Sequence, residues 1–227
     1  MTCRKSFCIL ISASGQNWVQ TEMNFRDLYS KLDEHRYYII SFRDIMVFYP
    51  QEKEGYLRKT IYRWKKKGWI YPLKRGLYEI AYPREHIIPD MHIANKLYSP
   101  SYVSLETALS NYSIIPEVSM AVTSITTKPT RRFQNKHGLF LYRTVKPDIF
   151  TGYYVEKQGL FEIFIAEPEK ALVDYLYFKT YRTYRYRKFN LKGERLDKDV
   201  ISGLNKRKLE KYSKLYNIKL KEFYAYL

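Results

Sequence analysis

The sequence predicts an α+β chain in which helices come first and a sheet-rich region follows. Three observations predict it. Apolar residues recur at helical spacing in successive segments between Phe25 and Trp64. Short β-favouring runs separated by glycine turns then occupy residues 69–80 and recur between Tyr102 and Ile165. A 17% share of aromatic residues, with 24 Tyr, supplies core-forming side chains along a chain whose 227 residues suit two modest domains.

Asn24 is a helix cap with Asp27 in the reciprocal position, and Phe25, Leu28 and Leu32 mark one face of the helix that follows. Tyr37-Tyr38-Ile39-Ile40 is β-favouring and too short for a helix. Ser41 opens a second capped helix, with Asp44 at its third position, that runs to about Tyr49 and is stopped by Pro50. From Glu52 to Lys67, Leu57, Ile61 and Trp64 form one apolar stripe. At about 100° per residue, Lys59, Tyr62, Arg63 and Lys66 point away from it, flanked by Tyr56 and Arg58.

Gly68 stops that helix, Trp69-Ile70-Tyr71 is a strand, Lys74-Arg75-Gly76 a turn and Leu77-Tyr78-Glu79-Ile80 the returning strand. The order of helix, strand, helix, basic helix and basic-tipped hairpin predicts an N-terminal winged helix-turn-helix that binds double-stranded DNA. Its third helix enters the major groove and its hairpin lies along the backbone. The expected contacts are Tyr56, Arg58, Lys59, Tyr62, Arg63, Lys66, Lys74 and Arg75. For Lys65-Lys66-Lys67 alone, a solvated run suited to the helix dipole fits equally well.

A boundary near residue 86 follows Pro83 and Pro89. Beyond it the pattern predicts a mixed α/β domain with a mostly antiparallel sheet. Met91–Leu97 is helical, Tyr102-Val103 is a short strand, Ser104 opens a helix ending before Ile115-Pro116, and Val118–Thr126 is a strong strand. One hairpin turns at Asn135-Lys136-His137-Gly138, with Asn and Gly supplying positive φ, and another turns at Gln158-Gly159. Pro168 starts a helix whose positive end suits Glu167 and Glu169. Helices near 196–204, 207–216 and 218–226 complete a basic helical tail from about residue 180. The organisation is therefore 1–22 as an unassigned extension, 23–84 as the winged helix-turn-helix and 85–227 as the α/β domain with its tail.

Lys and Arg number 40 against 23 Asp and Glu, a formal net charge of +17, which suits an anionic partner and also serves solubility. From Lys179 to Lys221 fifteen cations face four acids. There Tyr181 to Lys188 interleaves aromatics with Arg182, Arg185, Arg187 and Lys188, which suits either a second nucleic-acid surface or a loop with packed tyrosines and solvated cations. The two cysteines, Cys3 and Cys8, support no disulfide framework, and a reducing cytoplasm is expected. The apolar run Phe7–Ile11 is shorter than a signal peptide needs. Residues 1–22 carry no periodic pattern, and Met23 directly precedes a helix start, so initiation at Met23 is one reading.

Catalytic patterns do not emerge. His35, His86, His92 and His137 form no metal-binding spacing, and neither a phosphate-binding loop nor a nucleophile elbow occurs. No cofactor, metal or membrane contact is expected. Asp90, Glu162, Glu167, Glu169 and Lys170 contain the residue types of a metal-dependent nuclease, but adjacent Glu169 and Lys170 would face opposite sides of a strand. The expected activity is non-catalytic regulation. A protein- or RNA-binding module without operator specificity is the alternative, and a nuclease ranks below both.

The order of parts over about residues 24–180 resembles the AbiE antitoxins of type IV abortive-infection systems, bacterial transcriptional regulators. The resemblance is carried by Leu57–Tyr78, with Trp64, Gly68 and Arg75-Gly76-Leu77-Tyr78, and by the passages Pro100–Leu109, Gly152-Tyr153-Tyr154 and Ala166–Asp174. It implies that the first domain represses its own operon. It further implies that the second counteracts a nucleotidyltransferase-like toxin without a stable complex. By the same resemblance Lys59, Arg63, Lys66, Lys74 and Arg75 match DNA-contact elements, and the segment from Glu167 to Asp174 matches a signature that physically is a helix start and core contact.

Overall fold

In the computed structural model the described residues are 24–83, 87–117, 119–183 and 195–218, with the side chains of 180–183 excepted. The chain is mixed α+β, with helices leading. Helix α1 (Phe25–Glu34) begins at Asn24, whose side chain accepts from Arg26 N–H at 3.1 Å rather than forming the expected reciprocal box with Asp27. Strand β1 (Ile39–Ser41) leads into α2 (Phe42–Phe48), where Ser41 and Asp44 do form the box, at 3.1 and 2.7 Å. Helix α3 (Glu54–Lys66) and strands β2 (Ile70–Lys74) and β3 (Leu77–Ile80) complete the order expected of this half.

The three strands make an antiparallel sheet in the order β1-β3-β2. Strand alternation gives this sheet two buried faces. Ile40, Ile70 and Ile80 pack with Phe25, Leu28, Leu32, Ile45, Leu57, Ile61 and Trp64 of the three helices. Tyr38, Ile39, Leu73 and Leu77 belong instead to the apolar cluster of the second half. Burial of either set alone would leave the other in water, so the sheet is shared between the two halves.

The second half contains α4 (Asp90–Leu97), β4 (Ser101–Val103), α5 (Leu105–Asn111), β5 (Ala121–Thr126), β6 (Arg131–Asn135), β7 (Gly138–Thr144), β8 (Tyr153–Gln158), β9 (Phe161–Ala166), α6 (Pro168–Thr183), α7 (Lys198–Ser202) and α8 (Lys206–Leu215). Its six-stranded sheet runs β6-β7-β5-β4-β9-β8. The pairs β6/β7, β4/β5 and β8/β9 are antiparallel, but β5/β7 and β4/β9 are parallel, so the sheet is more evenly mixed than the sequence predicts. The reason is placement: β6 takes the outer edge of its hairpin, which returns β7 beside β5 in the same direction.

At the β6–β7 turn only Gly138 has positive φ, +115°. Asn135 acts through its side chain instead, accepting from His137 N–H at 2.9 Å and donating to the Leu73 carbonyl at 3.2 Å. Asn95 of α4 plays a similar part inside the sheet. Its amide accepts from Phe164 N–H at 2.8 Å and donates to Phe164 O at 3.2 Å, replacing the ladder that three-residue β4 is too short to supply.

Helices α7 and α8 fall where two of the tail helices are expected, and α8 is also packed on one side. Leu209, Tyr212, Ser213 and Tyr216 are buried against the second half, while Lys206, Arg207, Lys211 and Lys214 face solvent. The third expected helix, at 218–226, lies outside the described residues apart from Ile218.

Beneath α8 lies a wholly buried polar network. Lys170 pairs with Asp174 on α6, and both side chains are fully inaccessible. Asp174 Oδ1 also accepts from Tyr216 OH at 2.5 Å, and its Oδ2 accepts from Ser104 Oγ at 2.8 Å and Tyr102 OH at 3.1 Å. Ser104 stands at the start of α5, yet its hydroxyl serves Asp174 rather than the helix. Burial lowers the Lys170 pKa, and the adjacent carboxylate opposes that shift. A buried charge needs this degree of pairing, because removal of one partner strands the other in low dielectric. Asp174→Asn should therefore cost about 3–5 kcal/mol, measured by urea unfolding.

Glu167 tethers α8 to the start of α6, accepting from Tyr212 OH at 2.8 Å and pairing with Lys208 at 3.0 Å. Partial burial raises its pKa, but these bonds outweigh the effect and leave it lowered. A lowered carboxylate pKa contributes stability above the ordinary carboxylate range and loses it as pH falls through the folded value. Unfolding free energies from neutral to acid pH should consequently fall less steeply in Glu167→Gln than in the wild type.

Candidate nucleic-acid interface

Helix α3 divides cleanly. Leu57, Thr60, Ile61 and Trp64 are buried, and Trp64 meets Phe25 edge-on at 5.1 Å between ring centroids. On the other side Lys59, Tyr62, Arg63 and Lys66 are exposed, as the rotation per residue requires. Tyr62 is 58% exposed, with Lys66 Nζ 5.7 Å from its ring centre. Arg63 donates to Thr60 Oγ1 at 3.0 Å, which steadies the guanidinium while leaving donors for another partner. Tyr56, Arg58, Lys59, Tyr62 and Arg63 surround one open surface depression.

Two of the expected contacts are partly committed elsewhere. Arg58 pairs with Glu54 through Nε at 2.8 Å and lies over the Phe42 ring at 4.4 Å, and Tyr56 is half-buried against the helical core. Helix α3 ends at Gly68, whose φ of +70° turns the chain into β2, and Lys67 covers Trp69 at 4.4 Å.

The hairpin tip is fixed by its neighbours. Gly76, at φ +76°, presents its carbonyl to Phe42 N–H at 2.9 Å, which ties the tip to the start of α2. Arg75 is exposed there. Lys74 is placed differently from the expectation of a free tip cation. A bulge sets both Leu73 and Lys74 opposite Leu77, turning the Lys74 side chain towards the second half. Its ammonium donates to the Leu97 carbonyl and lies 5.6 Å from the Phe133 ring centre. Burial lowers its pKa, and Lys128 and Arg131 nearby lower it further.

That side of the hairpin is the contact with the second half. His137, at the β6–β7 turn, meets buried Glu79 of β3 at 2.6 Å through Nε2 and Asp90 at 3.2 Å through Nδ1. Lys136 pairs with Glu79 at 3.0 Å and lies 3.6 Å from the Tyr71 ring centre. Sequence reasoning places Lys136 and His137 in a turn and gives Glu79 no role. The His137–Glu79 contact spans 58 positions, and no local pattern signals it.

Of the second surface, Arg185, Arg187 and Lys188 lie outside the described residues, and only the backbone of Arg182, in α6, is described. The residue types considered for a nuclease are dispersed: Asp90 faces His137, Glu167 and Glu169 hold α8 and its preceding turn, and Lys170 is sealed with Asp174. Among the described residues no cluster of three or more His, Cys, Asp or Glu could hold a metal ion, and no helix is long and apolar enough to cross a membrane.

A family model described as a transcriptional regulator, the AbiEi antitoxin, matches residues 27–81, from α1 to just past β3. This supports the family resemblance over that segment, which contains the Leu57–Tyr78 passage. No curated protein matches the chain. The passages at 100–109, 152–154 and 166–174 lie beyond the matched span, yet they meet in space. Tyr102 and Ser104 bond Asp174, Tyr153 stacks on Tyr102 at 4.8 Å, and Gly152 O accepts from Glu167 N–H at 2.9 Å.

Glu79 is the hub of the contact between halves, so Glu79→Ala should leave His137 and Lys136 without their shared acceptor. A loss of about 1–3 kcal/mol is expected, with earlier cleavage near residue 86 in limited proteolysis.

Proposed function

We propose that the chain is a non-catalytic transcriptional regulator whose first half is a winged helix-turn-helix binding double-stranded DNA. Helix α3 lies in the major groove and the β2–β3 hairpin along the backbone. The observation that carries this reading is the exposed row Lys59, Tyr62, Arg63 and Lys66 on a helix whose opposite face is anchored by Trp64. Cations at that spacing neutralise successive phosphates, and Arg63 and Tyr62 can also reach base edges. Arg75 adds a backbone contact from the tip, whereas Lys74 supports the hairpin from behind.

In the reading that best fits the family description, the protein is the antitoxin of a type IV abortive-infection pair acting in the cytoplasm. It represses its own operon and counteracts a nucleotidyltransferase-like toxin without a stable complex. The match to a transcriptional regulator antitoxin over the DNA-contacting segment supports this.

The test is a fluorescence-anisotropy titration with the gene's own upstream duplex and a scrambled one, across a range of salt. Tight binding to the upstream duplex is expected. Lys59→Ala/Arg63→Ala should lower the slope of log K against log salt by about two, and Arg75→Ala by about one. Lys74→Ala should leave the slope unchanged and lower thermal stability. Equal binding to both duplexes, insensitive to the α3 substitutions, would overturn the operator reading and move the nucleic-acid surface to the cationic stretch after Lys179.

A further inference from the structure

The six-stranded sheet has two edges, and they are treated differently. At the β6 edge the hairpin of the first half arrives, with Asn135 donating to the Leu73 carbonyl. At the β8 edge, six residues long, no strand or helix of the described residues covers the backbone. An open edge of that length is a template for pairing.

The polarity of the β8 edge can be worked out. Phe164 directs both its N–H and its C=O to Asn95, away from β8. Val155, its partner in the β8/β9 register, therefore occupies a non-hydrogen-bonded position, and its own N–H and C=O point off the sheet. Tyr153 and Lys157 share that orientation, two residues to either side. On one face of the sheet Val155 is 46% and Phe164 39% exposed, and Tyr153 lies 6.3 Å from Phe164, ring to ring.

We propose that two copies of the chain pair antiparallel through β8, with Val155 opposite Val155 on the two-fold axis, forming one continuous twelve-stranded sheet. A second copy fits because β8 is self-complementary in this register. Side chains opposite one another must share a face, which restricts the alignments to those pairing odd with odd and even with even positions. With Val155 on the axis, Tyr154 opposes Glu156 of the second copy, a hydroxyl against a carboxylate. Tyr153 opposes Lys157 of the second copy, an aromatic ring against an ammonium. Of the two neighbouring permitted alignments, one sets Glu156 against Glu156, and like charges directly opposite are destabilising. The other sets Tyr154 against Tyr154 and leaves Lys157 opposite Thr151, which lies outside the strand, so it pairs fewer outward groups.

The outward N–H and C=O of Tyr153, Val155 and Lys157 all find partners in the Val155-centred alignment. The apolar strip of Val155 and Phe164 becomes continuous across the axis. Glu156 and Lys157, which would discourage a random strand, thus select this one. Two-fold presentation of paired α3 helices to one duplex would follow, and that consequence alone rests on the DNA-binding reading.

Sedimentation equilibrium of the full chain without DNA tests the pairing. The expected mass rises with concentration towards twice 27.5 kDa. Val155→Pro removes an outward donor but no β8/β9 bond, so it should abolish the dimer while leaving the thermal unfolding midpoint equal to that of the wild type at concentrations where the wild type is a single chain. In a Cys3→Ser/Cys8→Ser background, Val155→Cys should form a disulfide-linked dimer on mild oxidation, since hydrogen-bonded opposing Cα atoms lie about 5.5 Å apart. Gln158→Cys, several residues off the axis, should not. A single-chain mass at every concentration would overturn the proposal, as would a dimer indifferent to Val155→Pro with no linkage at Cys introduced on the axis.

Discussion

A small sheet with two apolar faces constrains the rest of this molecule. The strands β1, β3 and β2 alternate so that Ile40, Ile70 and Ile80 point to the helices, while Ile39, Leu73 and Leu77 point to the second half. Neither face tolerates water, so the two halves must meet across it. The position of α3 follows on one side, and the docking of the hairpin on the other. The bulge at Leu73 then decides what the hairpin offers to solvent: Arg75 stays outside, and Lys74 is drawn beneath.

The second half is organised around a different constraint. Lys170 and Asp174 are placed in an apolar interior, where every donor and acceptor needs a partner. Satisfying them draws Tyr102 and Ser104 from β4 and the start of α5, and Tyr216 from the chain just beyond α8. Helix α8, strongly cationic on its outer face, is thereby held as a core element. The passages around residues 102 and 170 are distant in sequence and are joined by one buried carboxylate, while that around 153 joins them through the stacking of Tyr153 on Tyr102.

The two halves are joined at Glu79. It belongs to the hairpin strand β3 and is held by Lys136 and His137 from the sheet domain. The proposed DNA-contacting half therefore touches the sheet of the second half through its hairpin as well as through its apolar face.

How much of this was legible beforehand depended on the range of the interaction responsible. The sequence by itself determined the helices of the first half, the Ser41 cap, the exposed row of α3 and the two hairpins of the second. These rest on periodicity, capping and turn chemistry within a few residues. Only the tertiary structure decided the fate of Lys74, the side-chain role of Asn135, the parallel pairings of the large sheet, the burial of α8 and the closure around Asp174. Each depends on a partner well beyond the reach of a local pattern, 23 positions away for Lys74 and Leu97 and 62 for Asn135 and Leu73. The local pattern of a cation or a carboxylate is the same whether it faces solvent or a buried counter-charge.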